Sequence, residues 1–206
     1  MAEISAALVK QLRDATGAGF NDCRTALTES GGDIEKAVEW LRKKGMATAA
    51  KKAGRVAKDG VVEVYKHHNG RMAVLVEVNS ETDFVARNEQ FQQFAKELAL
   101  HIANAKPLYM TREDVPADVV SKERQIQLER TIAEGKKPEV AEKIVDGRMN
   151  KWYEEVVLMD QPWFFDDALK VKDVLTKVIA EIKENIVVRR FARFELGEGV
   201  EDAAEE

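Results

Sequence analysis

The sequence predicts an α+β protein: an N-terminal three-helix bundle followed by an α+β domain with a small antiparallel sheet. Three observations carry that prediction. Before residue 45, apolar residues recur at three-to-four spacing in three short stretches separated by glycine-rich turns. Two stretches with period-two alternation then flank an Asn-Gly turn, the strongest short hairpin signal. A third alternating stretch closes the chain, directly after its cleanest amphipathic helix.

Each element has a local cause. In the bundle, Leu8, Val9 and Leu12 form one apolar face, Phe20, Cys23, Ala26 and Leu27 a second, and Ile34, Ala37, Val38 and Leu41 a third. Thr16-Gly17-Ala18-Gly19 and Ser30-Gly31-Gly32-Asp33 separate them, with Asp33 suited to cap the third helix. We assign residues 1–45 to this bundle and residues 46–60, rich in Ala, Lys and Gly, to a basic linker. Residues 61–197 form the α+β core and dimerisation domain, and the acidic 198–206 is expected to be a disordered tail.

Val61 to Tyr65 and Met72 to Val78 are the hairpin strands around His68-Asn69-Gly70-Arg71. Helical spacing resumes at Phe91, Phe94, Ala95, Leu98 and Ile102, with Asn88 as the cap. Between strand and helix lies Ser80-Glu81-Thr82-Asp83-Phe84-Val85-Ala86-Arg87. Connections run over surfaces, so Phe84 is either folded back onto the core or offered to a partner. Beyond Pro107 and Pro116, which bracket a loop, Ser121 is expected to open a charged helix closed by Gly135, and Pro138 to start the next. Asp160 to Phe165 reads as a loop with three adjacent aromatics, open to a core or a partner role. Val171, Val174, Leu175, Val178, Ile179 and Ile182 make the amphipathic helix, and Ile186 to Leu196 the last strand, with Arg189, Arg190 and Arg193 keeping an edge from aggregating.

Composition narrows the function. A formal net charge of −5 over 206 residues argues against a protein whose main task is to grip phosphate backbones. One cysteine rules out an intrachain disulfide framework and sites built from several thiolates. No apolar run suits a membrane span and the N-terminus lacks a secretion signal, so the expected location is cytoplasmic. No phosphate-binding loop or dinucleotide fingerprint is present, the three histidines have no second ligand at zinc-like spacing, and Cys23 sits on an inward face. Neither catalysis, a metal nor a bound cofactor is expected on this chain.

The run Glu77-Val78-Asn79-Ser80-Glu81-Thr82-Asp83-Phe84-Val85-Ala86-Arg87-Asn88 resembles the signature of the elongation factor Ts family. Leu12 to Leu27, Gly31 to Arg42, Asp160-Gln161-Pro162-Trp163 and Arg190 to Gly199 resemble further blocks, in family order over nearly the whole chain. Departures are Ser80, where a cysteine is usual, and Trp163, where a phenylalanine is usual. The bundle's spacing and its Gly19-Phe20 loop look like a ubiquitin-associated-type bundle, which the resemblance also implies. The resemblance implies a guanine-nucleotide exchange factor that binds elongation factor Tu in its GDP-bound and nucleotide-free states. Thr82, Asp83, Phe84 and Val85 would contact that partner, with Phe84 as a wedge that dislocates the partner's Mg²⁺ and Asp83 hydrogen-bonding nearby; the bundle would dock elsewhere on it. A homodimer is expected because the chain has room for only one α+β unit, whereas longer relatives carry two. Two rival readings remain: an adaptor using the Gly19-Phe20 loop, and an RNA- or ribosome-associated factor using Lys51, Lys52, Arg55 and the C-terminal arginines.

Overall fold

A computed structural model of the chain describes residues 4–200. The α+β class holds, with helices α1 (Ala6–Thr16), α2 (Phe20–Glu29) and α3 (Ile34–Lys52) preceding strands β1 (Asp59–Lys66) and β2 (Met72–Ser80). Then follow α4 (Asp83–Ala86), α5 (Glu89–Ala105), α6 (Ala117–Ala133) and α7 (Pro138–Val156). A short hairpin of β3 (Pro162–Trp163) and β4 (Asp166–Lys170), then α8 (Val171–Ile182) and β5 (Val187–Glu195), complete the order. The main sheet has the order β1-β2-β5. His67 N–H donates to Met72 O across the turn and Leu196 N–H to Arg71 O, so both neighbours of β2 run antiparallel to it. Among the described residues no helix is long and apolar enough to cross a membrane.

The chain folds into two compact units, each assembled from separate stretches. One holds, among the described residues, 4–62, Glu77–Ala95 and Asp173–Arg189. Its helical bundle packs Val9, Leu12, Cys23, Ala26, Leu27 and Ala37 into a closed apolar cluster. Asp33 caps α3 by accepting from the Lys36 N–H at 3.1 Å. Cys23 is fully buried, and desolvation raises its thiol pKa, as befits a structural thiol. Two residues expected on the inward faces lie partly outside: Phe20 is 49% and Val38 39% exposed. Phe20 is the first residue of α2, ahead of the turn that closes over the core.

Helix α3 corrects the expected linker. Met46 to Lys52 are helical, so the boundary at residue 45 falls inside an element rather than beside one. Alanine and lysine favour helix, and the glycine that reads as a stop permits contact instead. A side-chain carbon on Gly45 would stand 3.6 Å from the Ala180 methyl of α8, so the helices meet closely there.

At the start of β1 the backbone itself meets its neighbour. Gly60 has φ +138°, and a Cβ there would fall 2.1 Å from Val78 O and 2.7 Å from the Asn79 Cα. Asn79 secures this crossing by donating its amide to Asp59 O at 3.1 Å.

The second unit holds Glu63–Val76, Lys96–Lys172 and, among the described residues, 190–200. Here α6 begins at Ala117, four positions before the expected Ser121, because Pro116 takes the cap position where its missing N–H costs nothing. Helices α6 and α7 form a hairpin joined by Arg124 to Glu142 and Asp146, each at 2.8 Å, and by Arg148 to Glu134 at 2.7 Å. Glu198 to Val200 of the expected tail are described, and the remainder lies outside the described residues.

The Asp160–Phe165 stretch is not an open loop; it leads into the β3–β4 hairpin and divides its aromatics. Trp163 is 4% exposed and stacks on His101 with ring centroids 5.1 Å apart, whereas Phe164 and Phe165 are half exposed. His101 is fully buried and saturated: Phe164 N–H donates to Nδ1 at 3.2 Å, leaving Nε2–H to donate to Gln161 Oε1 at 3.0 Å. Gln161 completes the network by donating to Ala105 O at 3.0 Å and Glu155 O at 2.8 Å. Burial alone would raise the Asp160 carboxyl, but bonds from Lys172 and Arg112 outweigh it and hold its pKa below the ordinary value. Arg193, expected as a surface charge, has a side chain only 6% exposed; it donates to Ala103 O and pairs with Glu195 and Glu198. Bonds from Arg193 and then Lys106 push the Glu195 carboxyl down to about 2.

Two outcomes test these contacts. Gly60→Ala should destabilise the protein by about 3 kcal/mol or more, since the backbone atoms it would strike have no rotamer to retreat into; chemical denaturation measures it. Desolvation holds the His101 pKa below 6.5. Above that value the folded and unfolded imidazoles are both neutral, and below it the unfolded chain takes up the proton first, so this residue costs stability as pH falls. The wild-type unfolding midpoint should therefore drop between about pH 7 and pH 5 by more than that of His101→Asn.

Candidate partner-binding site

The feature that most needs support is α4, a helix of four residues. One turn fixes many dihedrals for few hydrogen bonds and does not persist alone in water. Thr82, at its N-terminus, is held at three of its polar groups. Its N–H donates to Glu184 Oε2 at 3.1 Å, its hydroxyl to Glu184 Oε1 at 2.8 Å, and its carbonyl accepts from the Ser80 hydroxyl at 2.9 Å. With its proton committed to a carboxylate, the Thr82 oxygen turns its lone pairs to the Val85 N–H, which it caps at 3.4 Å. Ser80, which stands where a cysteine is usual in the resembling family, is fully buried, and its hydroxyl makes the bond that fixes the Thr82 carbonyl.

The grip is reciprocal. Glu184 Oε2 also accepts from the Glu81 N–H at 3.1 Å, while Glu81 Oε1 accepts from the Asn185 N–H at 2.6 Å. Asn185 is buried, and its amide donates to Arg55 O at 2.8 Å. The Asn185 N–H is the largest influence holding the Glu81 carboxyl below its ordinary pKa, with the Arg55 charge adding to it. Thus the corner after β2 and the turn after α8 are tied by two carboxylates facing opposite ways. Lys183, at φ +65°, makes the left-handed turn that ends α8 and carries Glu184 back toward that corner.

On this base the four predicted residues fall into one turn with separate positions. Thr82 is the half-buried anchor and Val85 is also half buried. Asp83 faces solvent and pairs with Arg87 at 2.8 Å, one turn on. Phe84 is 80% exposed, more than any other large apolar residue described. An aromatic in a helical turn that buries almost none of its surface stabilises nothing within the chain. The following helix starts as expected, with Asn88 Oδ1 accepting from Gln90 and Phe91 N–H.

Sequence reasoning missed Glu184, Asn185 and the anchoring role of Glu81. The first two lie about a hundred positions from Thr82, and no local spacing signals such a bond. Several cations of the RNA-binding alternative are engaged internally: Arg55 with Glu81, Lys52 with Lys183 O, Arg189 with Glu77 and Arg193 as above. Among the described residues no group of three or more His, Cys, Asp or Glu could hold a metal ion.

Residues 4–198 match the family described as Elongation factor TS. The chain belongs to the elongation factor Ts family. It is 54% identical over 201 residues to Elongation factor Ts of Desulforamulus reducens, covering 98% of this chain and 93% of that one. With Elongation factor Ts of Anaeromyxobacter sp. it shares 56% over 206 residues, 100% of this chain and 94% of the other. For that of Thermotoga petrophila the identity is 54% over 200 residues, covering 97% and 100%. Elongation factor Ts membership makes the chain a factor of translation elongation.

Proposed function

We propose that this chain is the guanine-nucleotide exchange factor of elongation factor Tu, binding its GDP form, releasing GDP and admitting GTP. The single observation that carries this reading is Phe84: an aromatic 80% exposed on a turn whose backbone is held at several points. An exchange factor has to bind the nucleotide-free state of its partner more tightly than the nucleotide-bound one, because a ligand shifts an equilibrium only by its differential affinity. A rigidly mounted aromatic does this when its pocket opens only as the partner's nucleotide site loosens. Burying a phenylalanine is worth roughly 1.5–3 kcal/mol, enough to bias the partner by about one to two powers of ten. Magnesium in such a partner demands near-ideal octahedral geometry, so a small displacement of the groups around it weakens both metal and nucleotide. In this reading Asp83, half exposed beside Phe84, hydrogen-bonds the partner, and Thr82 and Val85 line the base of the wedge. The N-terminal bundle docks on a second surface of the partner, for which the exposed Phe20, Val38 and Met46 supply apolar contact.

We also propose that two copies pair through the outer face of the sheet. The main-chain bonds His67 N–H to Met72 O and Leu196 N–H to Arg71 O set a register that brings Val64, Leu75 and Phe194 to one face. Those side chains are 56%, 40% and 65% exposed. A second copy would cover them in an isologous contact.

Phe84→Ala should leave the unfolding midpoint nearly unchanged, within about 0.5 kcal/mol, because the side chain buries so little. The same substitution should slow release of a fluorescent GDP analogue from elongation factor Tu by about tenfold or more. Unchanged release would remove the wedge. Sedimentation equilibrium, alone and with elongation factor Tu, should show a species of twice 23.1 kDa or a complex containing two copies of the chain; a monomer alone together with a one-to-one complex would exclude pairing.

A further inference from the structure

Resting on the exchange reading above, we infer that Glu184 is the positioning residue of the wedge: it touches no partner, yet the exchange rate depends on it because it fixes the turn that carries Phe84. The placement of this carboxylate is not explained by helix electrostatics. It follows the last turn of α8, whose C-terminal end is the negative pole of the helix dipole, where an acidic group is disfavoured. What it gains there is three donors: the Glu81 and Thr82 N–H groups on Oε2 and the Thr82 hydroxyl on Oε1. Charge-assisted bonds of this kind are short and directional, and two of the three end on main chain, so they set the backbone rather than one rotamer.

The consequence for the wedge is geometric. Phe84 is two residues beyond Thr82, and the main-chain bond that closes the first turn of α4 is Ala86 N–H to Thr82 O, the carbonyl that Ser80 also holds. The turn contributes little cooperativity of its own, so its orientation is inherited from Thr82. Released from Glu184, Thr82 loses two anchors, its hydroxyl proton is no longer committed, and the cap on Val85 weakens. Phe84 then samples several orientations, and driving it into a partner requires that freedom to be lost on binding. Glutamine at 184 keeps the shape but loses the charge: its oxygen can accept only uncharged bonds from the two N–H groups, and its NH₂ must face the Thr82 hydroxyl and reverse that bond, so the anchor weakens without opening a cavity.

The experiment compares wild type, Glu184→Gln and Phe84→Ala in releasing a fluorescent GDP analogue from elongation factor Tu across a concentration series of the factor. Glu184→Gln should lower the maximal release rate by about tenfold or more, since angstrom-scale misplacement of a working group costs on that order. The factor concentration at half-maximal rate should stay within about threefold, because the docking surfaces are untouched and rate and half-saturation report different losses. A merely structural role would instead lower the unfolding midpoint and scale the active fraction, leaving the rate per folded molecule unchanged. If Glu184→Gln melts below the assay temperature, Thr82→Val, which deletes the hydroxyl and with it both the bond to Glu184 and the cap on Val85, carries the same expectation. Wild-type rates in the folded Gln variant, or in the Val variant where that substitutes for it, with Phe84→Ala impaired, would overturn the role of Glu184 and leave the wedge standing. Full activity in Phe84→Ala would instead overturn the exchange reading on which this inference rests.

Discussion

The exposed end of the first unit depends on a carboxylate, that of Glu184, accepting three hydrogens from a corner about a hundred residues earlier. Without it, β2 would run out at Ser80 into a turn too short to hold itself. With it, the corner gains a hydroxyl cap, a fixed carbonyl and a second carboxylate, Glu81, returning the contact to Asn185. The concentration of these bonds on two adjacent residues, Glu81 and Thr82, makes the segment rigid. Rigidity allows a phenylalanine to stand in solvent without collapsing onto the nearest apolar surface, and it ties the fold to the proposed function. A wedge on a flexible loop would give up in conformational freedom much of what it gained in contact.

The two units solve the problem of burying polar groups differently. In the first, charge is arranged around main-chain N–H groups at the ends of elements, where Glu81 and Glu184 replace missing secondary-structure bonds. In the second, side chains saturate one another: His101 with Gln161, Asp160 with Lys172 and Arg112, Arg193 with Glu195. The Asp160–Trp163 block belongs to this second pattern. Its aspartate is a buried anion with two cations, its glutamine satisfies a buried ring and two carbonyls, and its tryptophan stacks on that ring.

Much of the fold was legible wherever periodicity decides. The buried alternation Val74, Val76 and Val78, the bundle residues Leu12, Cys23 and Leu27, and the stripe of α8 all follow from spacing. Boundaries failed where a local signal had two meanings. Gly45 suggests a stop but serves as a contact point, so α3 runs on to Lys52; Pro116 suggests a loop but begins a helix. The β3–β4 hairpin was hidden because its first strand has two residues, too few for any period. At the site, the residue types of Thr82 to Val85 were readable, as was the choice facing Phe84 between core and partner. What settles the exposure of Phe84 is its supports, Glu184 and Asn185, and no spacing rule connects those to Thr82.

The most direct measurement is a double-mutant cycle between Phe84→Ala and Glu184→Gln on the maximal rate of GDP release from elongation factor Tu. If Glu184 acts only by holding the turn that presents Phe84, removing the ring should cost little more once the carboxylate is gone, and the two effects should fall well short of additive. Effects that add fully would mean that the two residues serve exchange independently, and would contradict the account.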